Sequence, residues 1–440
     1  MAGIKVALCI PTYNRSEIVK EFIENCADYY IQAGIDVFYL DSSTDDKTEE
    51  YIQSRLDDVH LFYRRIPSET RMDEKALMIF QEYGLKKEYD FIWLCGDGIQ
   101  YPPKGVEAIL SSLNVNTDLA VIDYTNRDIS FHAEEIHTAQ MFFSKCALPM
   151  ILYGSTLLNA RTMLKNVNWN AYAEKCLKRQ YDTFAHVMFY WNRMLELPIF
   201  NGLCLTIGEK EMRMSPSPKK QGTTYYHKLF SVWFEKWPAV IDSLPSVYEN
   251  KEALLSQGPG TLFSQRSNMW RMRQDGVLTW KQVIQHRRTW KMISPIPCFD
   301  AFCISVVPSK VVKLCYEYRL HQATKEINRL KQKSSHFYIL GVGKIGNQVG
   351  QFLNNCDINY DAFCTMEEVS KENKLLGHDI LLYNNIYSKP NVRFLLAMGP
   401  RDAKKTIEIL NCKKYCGEIY YNPTFIRDVA FALGYRAFHR

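Results

Sequence analysis

Short apolar runs alternate with helix-like stretches through the first 130 residues of the chain. Five runs have the length of a buried strand, and they cover residues 4–10, 35–40, 59–63, 90–94 and 119–123. Helices are expected from an N-cap at Ser16, from a cap at Thr44 or Asp45, and over residues 73–83. Strands that alternate with helices in this way predict an α/β fold with a doubly wound, mostly parallel sheet.

Polar segments follow three of these strands at the point where each strand ends. They read PTYNR (11–15), DSSTDD (41–46) and CGDG (95–98). Ligands of parallel sheets bind beyond the carboxyl ends of the strands, so the three segments are expected to line one site.

The rest of the chain divides into two further regions. GSTLLNA (154–160) is expected to form a loop, and a helix over 180–191 closes the first domain. A βαβ pattern begins near Ser335 and contains a Gly-X-Gly-X-X-Gly segment at 341–346. The predicted organisation is a nucleotide-binding domain over 1–230, a helical, basic and aromatic connecting region over 231–330, and a smaller Rossmann-like accessory domain over 335–440.

Composition narrows the class of protein. The net charge of +6 over 440 residues is too small for a nucleic-acid-binding signature, so no nucleic-acid partner is expected. Thirteen scattered cysteines favour reduced thiols and a cytoplasmic location, and the charged first twenty residues do not resemble a signal peptide. Cys412 and Cys416 lie close in sequence, but nothing nearby completes a zinc site.

A basic and aromatic stretch over residues 270–313 is interrupted by three prolines, so it is a poor membrane span. Two readings of it stay open. Its basic and tryptophan side chains would suit the surface of an anionic bilayer, and a helical subdomain that packs on its neighbour has the same pattern.

The strand-end residues have the chemistry of a nucleotide site. The carboxylate of Asp41 can accept hydrogen bonds from a base or ribose, and a base would fit between it and the residues Thr12, Tyr13 and Arg15. Arg71 and Lys75 precede the helix that leads to CGDG and would neutralise a diphosphate. Asp97 would then lie near the phosphates, where a carboxylate is useful when Mg²⁺ or Mn²⁺ bridges it to them.

Three segments in this order, IPTYNRSE, LDSSTDD and WLCGDG, resemble the N-terminal half of family-2 glycosyltransferases with the GT-A fold, over about residues 1–200. The stretch TRMDEKALMIFQE also resembles the segment that precedes the acidic motif in that family, and includes Asp73. The resemblance implies that a nucleotide-sugar is bound by Pro11, Thr12, Tyr13, Arg15, Asp41, Ser43, Arg71, Lys75, Gly96 and Asp97.

The family chemistry implied by the resemblance is inverting transfer of a sugar from a nucleotide-sugar to an acceptor hydroxyl. The position that matches the family's catalytic base is Asp182, with His186 one helical turn further on as a second choice. Four basic residues are expected to contribute to a lid that meets the leaving diphosphate: Arg213, Lys219, Lys220 and His227.

The implied cofactor is Mn²⁺ or Mg²⁺, with Asp97 as its ligand. The acidic motif departs from the family's Asp-X-Asp pattern, because Cys95 replaces the first aspartate and Gly98 stands where many relatives carry another. Weak metal affinity in the absence of nucleotide is therefore expected. The donor implied is a UDP-sugar, and the acceptor implied is a bacterial surface glycan or a lipid-linked intermediate, with peripheral contact at the inner membrane face.

Two other functions fit parts of the sequence. An NAD-dependent oxidoreductase would use GVGKIG (341–346), although the next predicted strand has only Asp361, in mid-strand, and no acidic residue at its end for a ribose. A non-catalytic scaffold that binds nucleotide-sugars would explain the incomplete acidic motif. A homo-oligomer is compatible with all of these readings.

Overall fold

The computed structural model describes residues 4–55, 60–85, 88–123, 131–207, 213–214, 227–258, 265–366, 374–387, 391–413, 415 and 417–433. The chain forms two compact units. Unit 1 comprises Met1–Thr261 with His286–Pro295, and unit 2 comprises Leu262–Gln285 with Ile296–Arg440. The three-part division at 1–230, 231–330 and 335–440 stays a prediction.

Unit 1 is built on an eight-stranded sheet with the order β3-β2-β1-β4-β8-β6-β9-β7. Strands β1 to β4 are mutually parallel, and β9 is parallel to β6, whereas β8 and β7 run antiparallel to their neighbours. The eight strands are β1 (Val6–Thr12), β2 (Ile35–Asp41), β3 (Leu61–Arg65), β4 (Phe91–Leu94), β6 (Leu119–Asp123), β7 (His132–Ile136), β8 (Thr156–Asn159) and β9 (Gly202–Thr206). A separate antiparallel pair is formed by β5 (Ile99–Gln100) and β10 (Arg213–Met214).

The helices of unit 1 cover the sheet and extend the unit beyond it. They are α1 (Ser16–Phe22), α2 (Asp28–Gln32), α3 (Lys47–Gln53), α4 (Met72–Leu85), α5 (Pro103–Ser112), α6 (Ala139–Cys146), α7 (Trp169–Cys176), α8 (Ala185–Glu196), α9 (Trp237–Ser243), α10 (Ala253–Gln257) and α13 (Arg287–Ile293). Two π-helical segments, Ile23–Ala27 and Ser231–Lys236, adjoin α1 and α9.

The sequence of β1 explains its central position. All seven residues of this strand are buried, because apolar side chains point to both faces of a sheet that is covered on both sides. Side chains from alternate positions of β1 and β2 enter one core with α1 and α5, through residues such as Val6, Leu8, Val37 and Phe22. The apolar run therefore predicts a central parallel strand correctly.

Three local predictions were wrong. Residues 154–160 contain strand β8 in the middle of the sheet, because Leu157 and Leu158 are apolar enough to be buried on both faces. Helix α1 begins at Ser16 itself, with Arg15 at the N-cap position, and α3 begins at Lys47, after Asp46. The side chains of the N-cap residues Arg15 and Asp46 accept no bond from their helices, whereas Asp45 Oδ1 accepts from Lys47 N, the first residue of α3, at 3.3 Å.

Unit 2 contains a helical part and a six-stranded sheet of order β13-β14-β12-β11-β15-β16, parallel except for β13. The helices are α11 (Arg266–Gln274), α12 (Trp280–Gln285), α14 (Cys298–Val306), α15 (Ser309–Gln332), α16 (Lys344–Asn355), α17 (Pro400–Cys412) and α18 (Pro423–Ala432). The strands are β11 (His336–Leu340), β12 (Ala362–Thr365), β13 (Lys374–Leu375), β14 (His378–Leu382), β15 (Val392–Leu396) and β16 (Ile419–Tyr420).

The fold class predicted from the sequence is confirmed: the protein is α/β, with a large, mostly parallel sheet and a second sheet. Within the described ranges, no helix combines the length and the apolar character needed to span a bilayer.

Candidate functional site

The three polar segments that follow β1, β2 and β4 come together at one edge of the sheet of unit 1. Thr12 and Asp41 are the last residues of neighbouring parallel strands and pair directly with each other. β4 pairs with β1 on the other side, and Asp97 follows three residues after β4 ends. The predicted convergence at the carboxyl ends of the strands is therefore present.

Asp97 is held by two residues of the PTYNR segment. The hydroxyl of Thr12 donates to Asp97 Oδ2 at 3.0 Å, and Arg15 Nη1 lies 2.6 Å from Asp97 Oδ1. The Asp97 carboxylate is buried, while the Arg15 side chain is 36% exposed. Both oxygens of the lone carboxylate therefore already accept a hydrogen bond, and Arg15 neutralises its charge from the solvent side.

Asp41 is fully buried and organises the loop that follows β2. Its Oδ1 accepts from Ser43 N at 2.7 Å and from Ser43 Oγ at 2.5 Å, and its Oδ2 accepts from the Tyr63 hydroxyl at 3.0 Å. Ser43 Oγ in turn accepts from the backbone N–H of Asn14, a residue with a φ of 52°. Asp41 thereby ties the loop after β2 to the loop after β1.

Lys75 supplies a buried positive charge beneath these loops. It lies in the first turn of α4, and its Nζ donates to the backbone carbonyl of Thr12 at 2.6 Å. Burial lowers the pKa of Lys75 to about 8, although Asp41 and Asp97 raise it. The Nζ also lies 5.8 Å from the centre of the Tyr13 ring, which is half exposed.

The predicted nucleotide-binding residues thus fall into two layers. Tyr13, Arg15 and Arg71 are partly or largely exposed and can contact a ligand directly. The others are buried, or contribute backbone, and they fix the shape of the site: Pro11, Thr12, Asp41, Ser43, Lys75, Gly96 and Asp97.

A second cluster surrounds Asp73, which lies beside Lys75 in α4 and is only 1% exposed. Its carboxyl accepts from the backbone N–H groups of Thr183 at 2.6 Å and Ala185 at 3.0 Å. Thr183 has a φ of 86°, which for a β-branched residue costs about 1–3 kcal/mol. Asp73 therefore holds the strained turn that carries Asp182.

Asp182 and Asp73 hydrogen-bond each other through their carboxyl groups. Burial, followed by this bond, raises the pKa of Asp73 to about 7. Partial burial acts in the same direction on Asp182, but the bonds from Asp73 and Lys236 outweigh it and lower the pKa of Asp182. Below a pH of about 7 the pair therefore holds its proton on Asp73, and Asp182 is the ionised partner.

Two cations face Asp182 from other parts of unit 1. Lys236 Nζ donates to Asp182 Oδ2 at 2.7 Å, and Arg71 Nη1 lies 4.0 Å from Oδ1. Arg71 is itself oriented by Glu74, which accepts from its backbone N–H at 2.9 Å and its Nε at 3.0 Å. About one third of the Asp182 side chain remains exposed, so the carboxylate is accessible to a substrate.

His186 has a different environment from the one a catalytic base needs. Its ring is buried, stacks on Tyr153 with ring centres 4.1 Å apart, and has Nε2 3.2 Å from the carbonyl of Ile151. Burial lowers the pKa of His186 to about 4, so the ring is neutral at pH 7. The structure favours a packing role for this histidine.

The predicted basic lid falls mostly outside the described residues. This applies to Lys219 and Lys220, whereas only the backbone of Arg213 is described, in β10, and His227 is exposed. The lid stays a prediction.

Asp97 alone provides too few oxygen ligands for a divalent ion, so a bound nucleotide and water would have to supply the others. Among the described residues no group of three or more His, Cys, Asp or Glu side chains forms a metal site. Cys95 is buried, which raises the pKa of its thiol, and therefore does not replace the missing carboxylate. A Cβ at Gly98, the residue after Asp97, would meet no atom within 4 Å, so the backbone here is open to a ligand; phosphate and water oxygens would have to supply the remaining ligands.

The sequence did not identify several residues on which the site depends. Asn14, Tyr63 and Lys236 all contact predicted site residues. Asn14 lies within the PTYNR segment but received no role from the sequence, and Tyr63 and Lys236 lie outside the recognised motifs. Lys236 is 54 residues from Asp182 in the chain. Only its position in an apolar, aromatic helical segment, where a lone lysine is unusual, signals a buried ion pair.

The glycine motif of unit 2 serves the packing of a helix on its strand. A Cβ at Gly346 would lie 1.9 Å from the carbonyl oxygen of Gly341, which itself has a φ of 131°. Asp361 lies just before β12, where its Oδ2 accepts from Phe337 N at 2.6 Å, and not in mid-strand as expected. The glycines at 341 and 346 are thus required by the backbone, whether or not a nucleotide binds.

Comparison with known proteins gives structural neighbours only. No protein-family model matches the chain, and no curated protein matches it. Among solved structures, S. aureus TarS is 12% identical, with a TM-score of 0.42 over 71% of this chain and 55% of the TarS chain. TarS 1–349 in complex with UDP-GlcNAc is also 12% identical, with a TM-score of 0.43 over 72% of this chain and 92% of that chain.

A third neighbour is the mannosyltransferase PcManGT from Pyrobaculum calidifontis, in complex with GDP-Man and Mn²⁺. It is 12% identical, with a TM-score of 0.38 over 69% of this chain and 79% of that chain. This chain thus spans little more than half of the longer TarS chain. At these identities and TM-scores no residue role is transferred, and the roles proposed below rest on the contacts of this chain.

Proposed function

We propose that the protein is an inverting glycosyltransferase of the hexosyltransferase type that uses a nucleotide-sugar, with UDP as the nucleotide. The observation that carries this proposal is the meeting of Thr12, Arg15, Asp41, Lys75 and Asp97 at the carboxyl ends of β1, β2 and β4. Such an edge is where parallel sheets bind ligands, and two cations there suit a diphosphate. We propose that each site residue named from the sequence has the role that was predicted for it.

The donor's nucleoside would stack on the exposed ring of Tyr13, while Asp41 and Ser43 fix the loop beside it. Arg15 is exposed enough to pair with the diphosphate once the metal ion takes its place on Asp97. Lys75 adds positive charge from beneath, because Asp41 and Asp97 favour its protonated form below a pH of about 8. The leaving nucleotide therefore meets two cations where its charge develops.

Asp182 would act as the base for the acceptor hydroxyl. The positive charges of Lys236 and Arg71 and the hydrogen bond from Asp73 keep the Asp182 carboxylate ionised. Because one third of the Asp182 side chain is exposed, an acceptor hydroxyl can reach the carboxylate and transfer its proton to it. As the acceptor oxygen forms its bond to the anomeric carbon, the bond from that carbon to the diphosphate breaks and the hydroxyl proton passes to Asp182. A single displacement of this kind inverts the configuration at the anomeric carbon.

Mn²⁺ or Mg²⁺ would enter with the donor and be held by Asp97 as the protein ligand. When bound, it supplies positive charge to the oxygens of the diphosphate. Because Asp97 is already paired with Arg15, the ion competes with a guanidinium for this carboxylate. The affinity for metal should therefore be low until a nucleotide contributes its own oxygens.

The acceptor we propose is a bacterial surface glycan or a lipid-linked intermediate, reached by a cytoplasmic protein at the inner face of the membrane. A hydroxyl acceptor is supported by the partly exposed carboxylate of Asp182, which would take the proton of that hydroxyl. The membrane contact rests on a surface of unit 2 that is described in the next subsection.

Nucleotide release tests the proposal. The wild-type protein is incubated with a panel of nucleotide-sugars, Mn²⁺ and bacterial lipid extract, and released nucleotide and glycosylated product are measured by mass spectrometry. We expect release from a UDP-sugar, and Asp182→Asn should lower kcat by about 100-fold or more with UDP binding retained. Asp242→Asn, at an exposed position of α9, is the matched control.

The proposal fails if no donor is turned over and no nucleotide binds. Binding without turnover in every condition would leave the scaffold function in its place. Unchanged kcat in Asp182→Asn would remove Asp182 from the role of base.

A further inference from the structure

Helix α14 of unit 2 turns an apolar face away from its core. Phe299, Cys303 and Val306 are exposed, and Phe299 reaches 74%. These positions are spaced i, i+4 and i+7, so at 100° per residue they share one face of the helix. The buried residues Ala301 and Ile304 lie on the opposite face.

Helix α15 repeats this arrangement in its first three turns. Val311, Leu314 and Tyr318 are exposed at spacing i, i+3 and i+7, and the exposed fractions of Leu314 and Tyr318 are 63% and 64%. The inward face carries Val312 and Tyr316, which pack with Trp270 and Val307. Both helices therefore have one apolar face in the core and a second apolar face in solvent.

A surface helix of a soluble protein normally carries polar residues on its outer face. Contiguous apolar side chains on that face mark a site of interaction. We call these residues the outer apolar face: Phe299, Cys303, Val306, Val311, Leu314 and Tyr318. Helix α12, which packs on α14, adds exposed Trp280 and Ile284.

The charge around the outer apolar face is positive. The helical part of unit 2, residues 265–285 and 296–332, contains ten Lys or Arg residues against four Asp or Glu residues. Lys281, Lys310 and Lys313 are exposed on the same helices as the apolar residues, and of these Lys313 pairs with exposed Glu317 at 3.7 Å. Asp300, the only acidic residue of α14, is partly buried and pairs with Arg266.

We propose that the outer apolar face binds the surface of an anionic lipid bilayer. Aromatic and aliphatic side chains flanked by lysines are the composition of helices that lie in a membrane interface, where the cations meet lipid phosphates. This surface belongs to unit 2 and the strand-end site to unit 1, so the proposal does not depend on sugar transfer.

Flotation of the full-length protein with lipid vesicles tests this proposal. The vesicles consist of phosphatidylcholine alone or of phosphatidylcholine mixed with phosphatidylglycerol. We expect the protein to float only with the anionic vesicles, and added salt should weaken binding by screening the lysines. The double variant Phe299→Glu/Leu314→Glu should lower the bound fraction by about tenfold or more, since it removes apolar contacts and adds repulsion.

Ile199→Glu is the matched control, because Ile199 is 75% exposed in unit 1 and should leave flotation unchanged. Circular dichroism and a thermal melt establish that the double variant is folded, as expected for substitutions at exposed positions. The proposal is overturned if the wild type floats with neither vesicle, or if the double variant binds as the wild type does. It is also overturned if light scattering shows a dimer that the double variant dissolves, because the face would then belong to a second copy.

Discussion

Replacing Asp73 should unlock the turn that carries Asp182. Asp73 is 1% exposed and accepts two backbone N–H groups, from Thr183 and Ala185. A buried donor left without a partner costs about 1–3 kcal/mol, so Asp73→Ala should lower the free energy of unfolding by about 2–6 kcal/mol. Asp73→Asn keeps one acceptor oxygen and should cost about half as much.

The destabilisation caused by Asp73→Asn should depend on pH. The unfolded pKa of an aspartate is about 3.9, whereas burial and the bond to Asp182 raise the folded pKa of Asp73 to about 7. Between these values the folded protein holds a proton that the unfolded chain has released, so this contribution to stability falls as the pH rises. Over the whole window the loss is up to about 4 kcal/mol.

Several charged or titratable groups face Asp73 and Asp182 and belong to the same balance: Arg71, Tyr153, Cys176 and Lys236. The Asp73→Asn variant cannot release a proton at this position, so its free energy of unfolding lacks this dependence on pH. The stability advantage of the wild type over Asp73→Asn should therefore shrink between about pH 4 and pH 7.

Urea unfolding at several pH values, followed by circular dichroism, measures this difference. Asp118→Asn is the control, because Asp118 is also buried and accepts a backbone N–H, from Asn201 at 2.7 Å, in another part of unit 1. In addition, Asp73→Asn should lower kcat and shift its pH profile, whereas Asp118→Asn should do neither. A stability difference that stays constant or grows as the pH rises would refute the shared proton.

Three further predictions concern single contacts. Arg15→Gln releases Asp97 from its ion pair, so calorimetry should show tighter Mn²⁺ binding without nucleotide and about tenfold weaker UDP binding; no change in either would contradict the pairing. UDP affinity of the wild type should fall as the pH rises through about 8, because Lys75 loses its proton, and titrations of Lys75→Met should lack this fall. Gly346→Ala should destabilise unit 2 by about 2 kcal/mol or more, because the new Cβ would meet the carbonyl of Gly341. Gly343→Ala has open space for its Cβ and should leave thermal melts unchanged. Equal effects of the two substitutions would contradict the packing role of Gly346.

The convergence of the three loops was predictable because strand ends are readable from sequence. Each apolar run stops at a polar segment, and the parallel arrangement brings Thr12, Asp41 and Asp97 to one edge without any knowledge of the side-chain contacts. The resemblance of the segment around Asp182 to a family motif predicted that this residue lies near the start of a helix, and α8 begins three residues later, at Ala185.

The pairing inside the site was not predictable from these patterns. Whether Asp41 faces a ligand or its own loop depends on Tyr63 and Ser43, which lie on the next strand and turn. The bond between Asp73 and Asp182 joins residues more than a hundred positions apart, and no periodicity encodes such a contact. Strand β8 was missed because a four-residue segment with only two apolar residues, between polar turns, is too short to distinguish from a loop.

The two apolar faces of α14 and α15 show another limit of pattern reading. A helix that is apolar on two sides has the same sequence whether both sides are buried or one is exposed. Only the structure shows that Val312 is buried while Leu314 lies in solvent.

Hydrogen exchange in the presence of UDP or NAD, read by mass spectrometry, tests the central claim most directly. Bound nucleotide stabilises the segments it contacts, and their exchange slows. We predict that UDP slows exchange at residues 11–15, 41–46, 71–75 and 95–98, and that neither nucleotide alters residues 341–350. Protection by NAD confined to residues 341–350, with no change at the strand ends of unit 1 in UDP, would contradict the account.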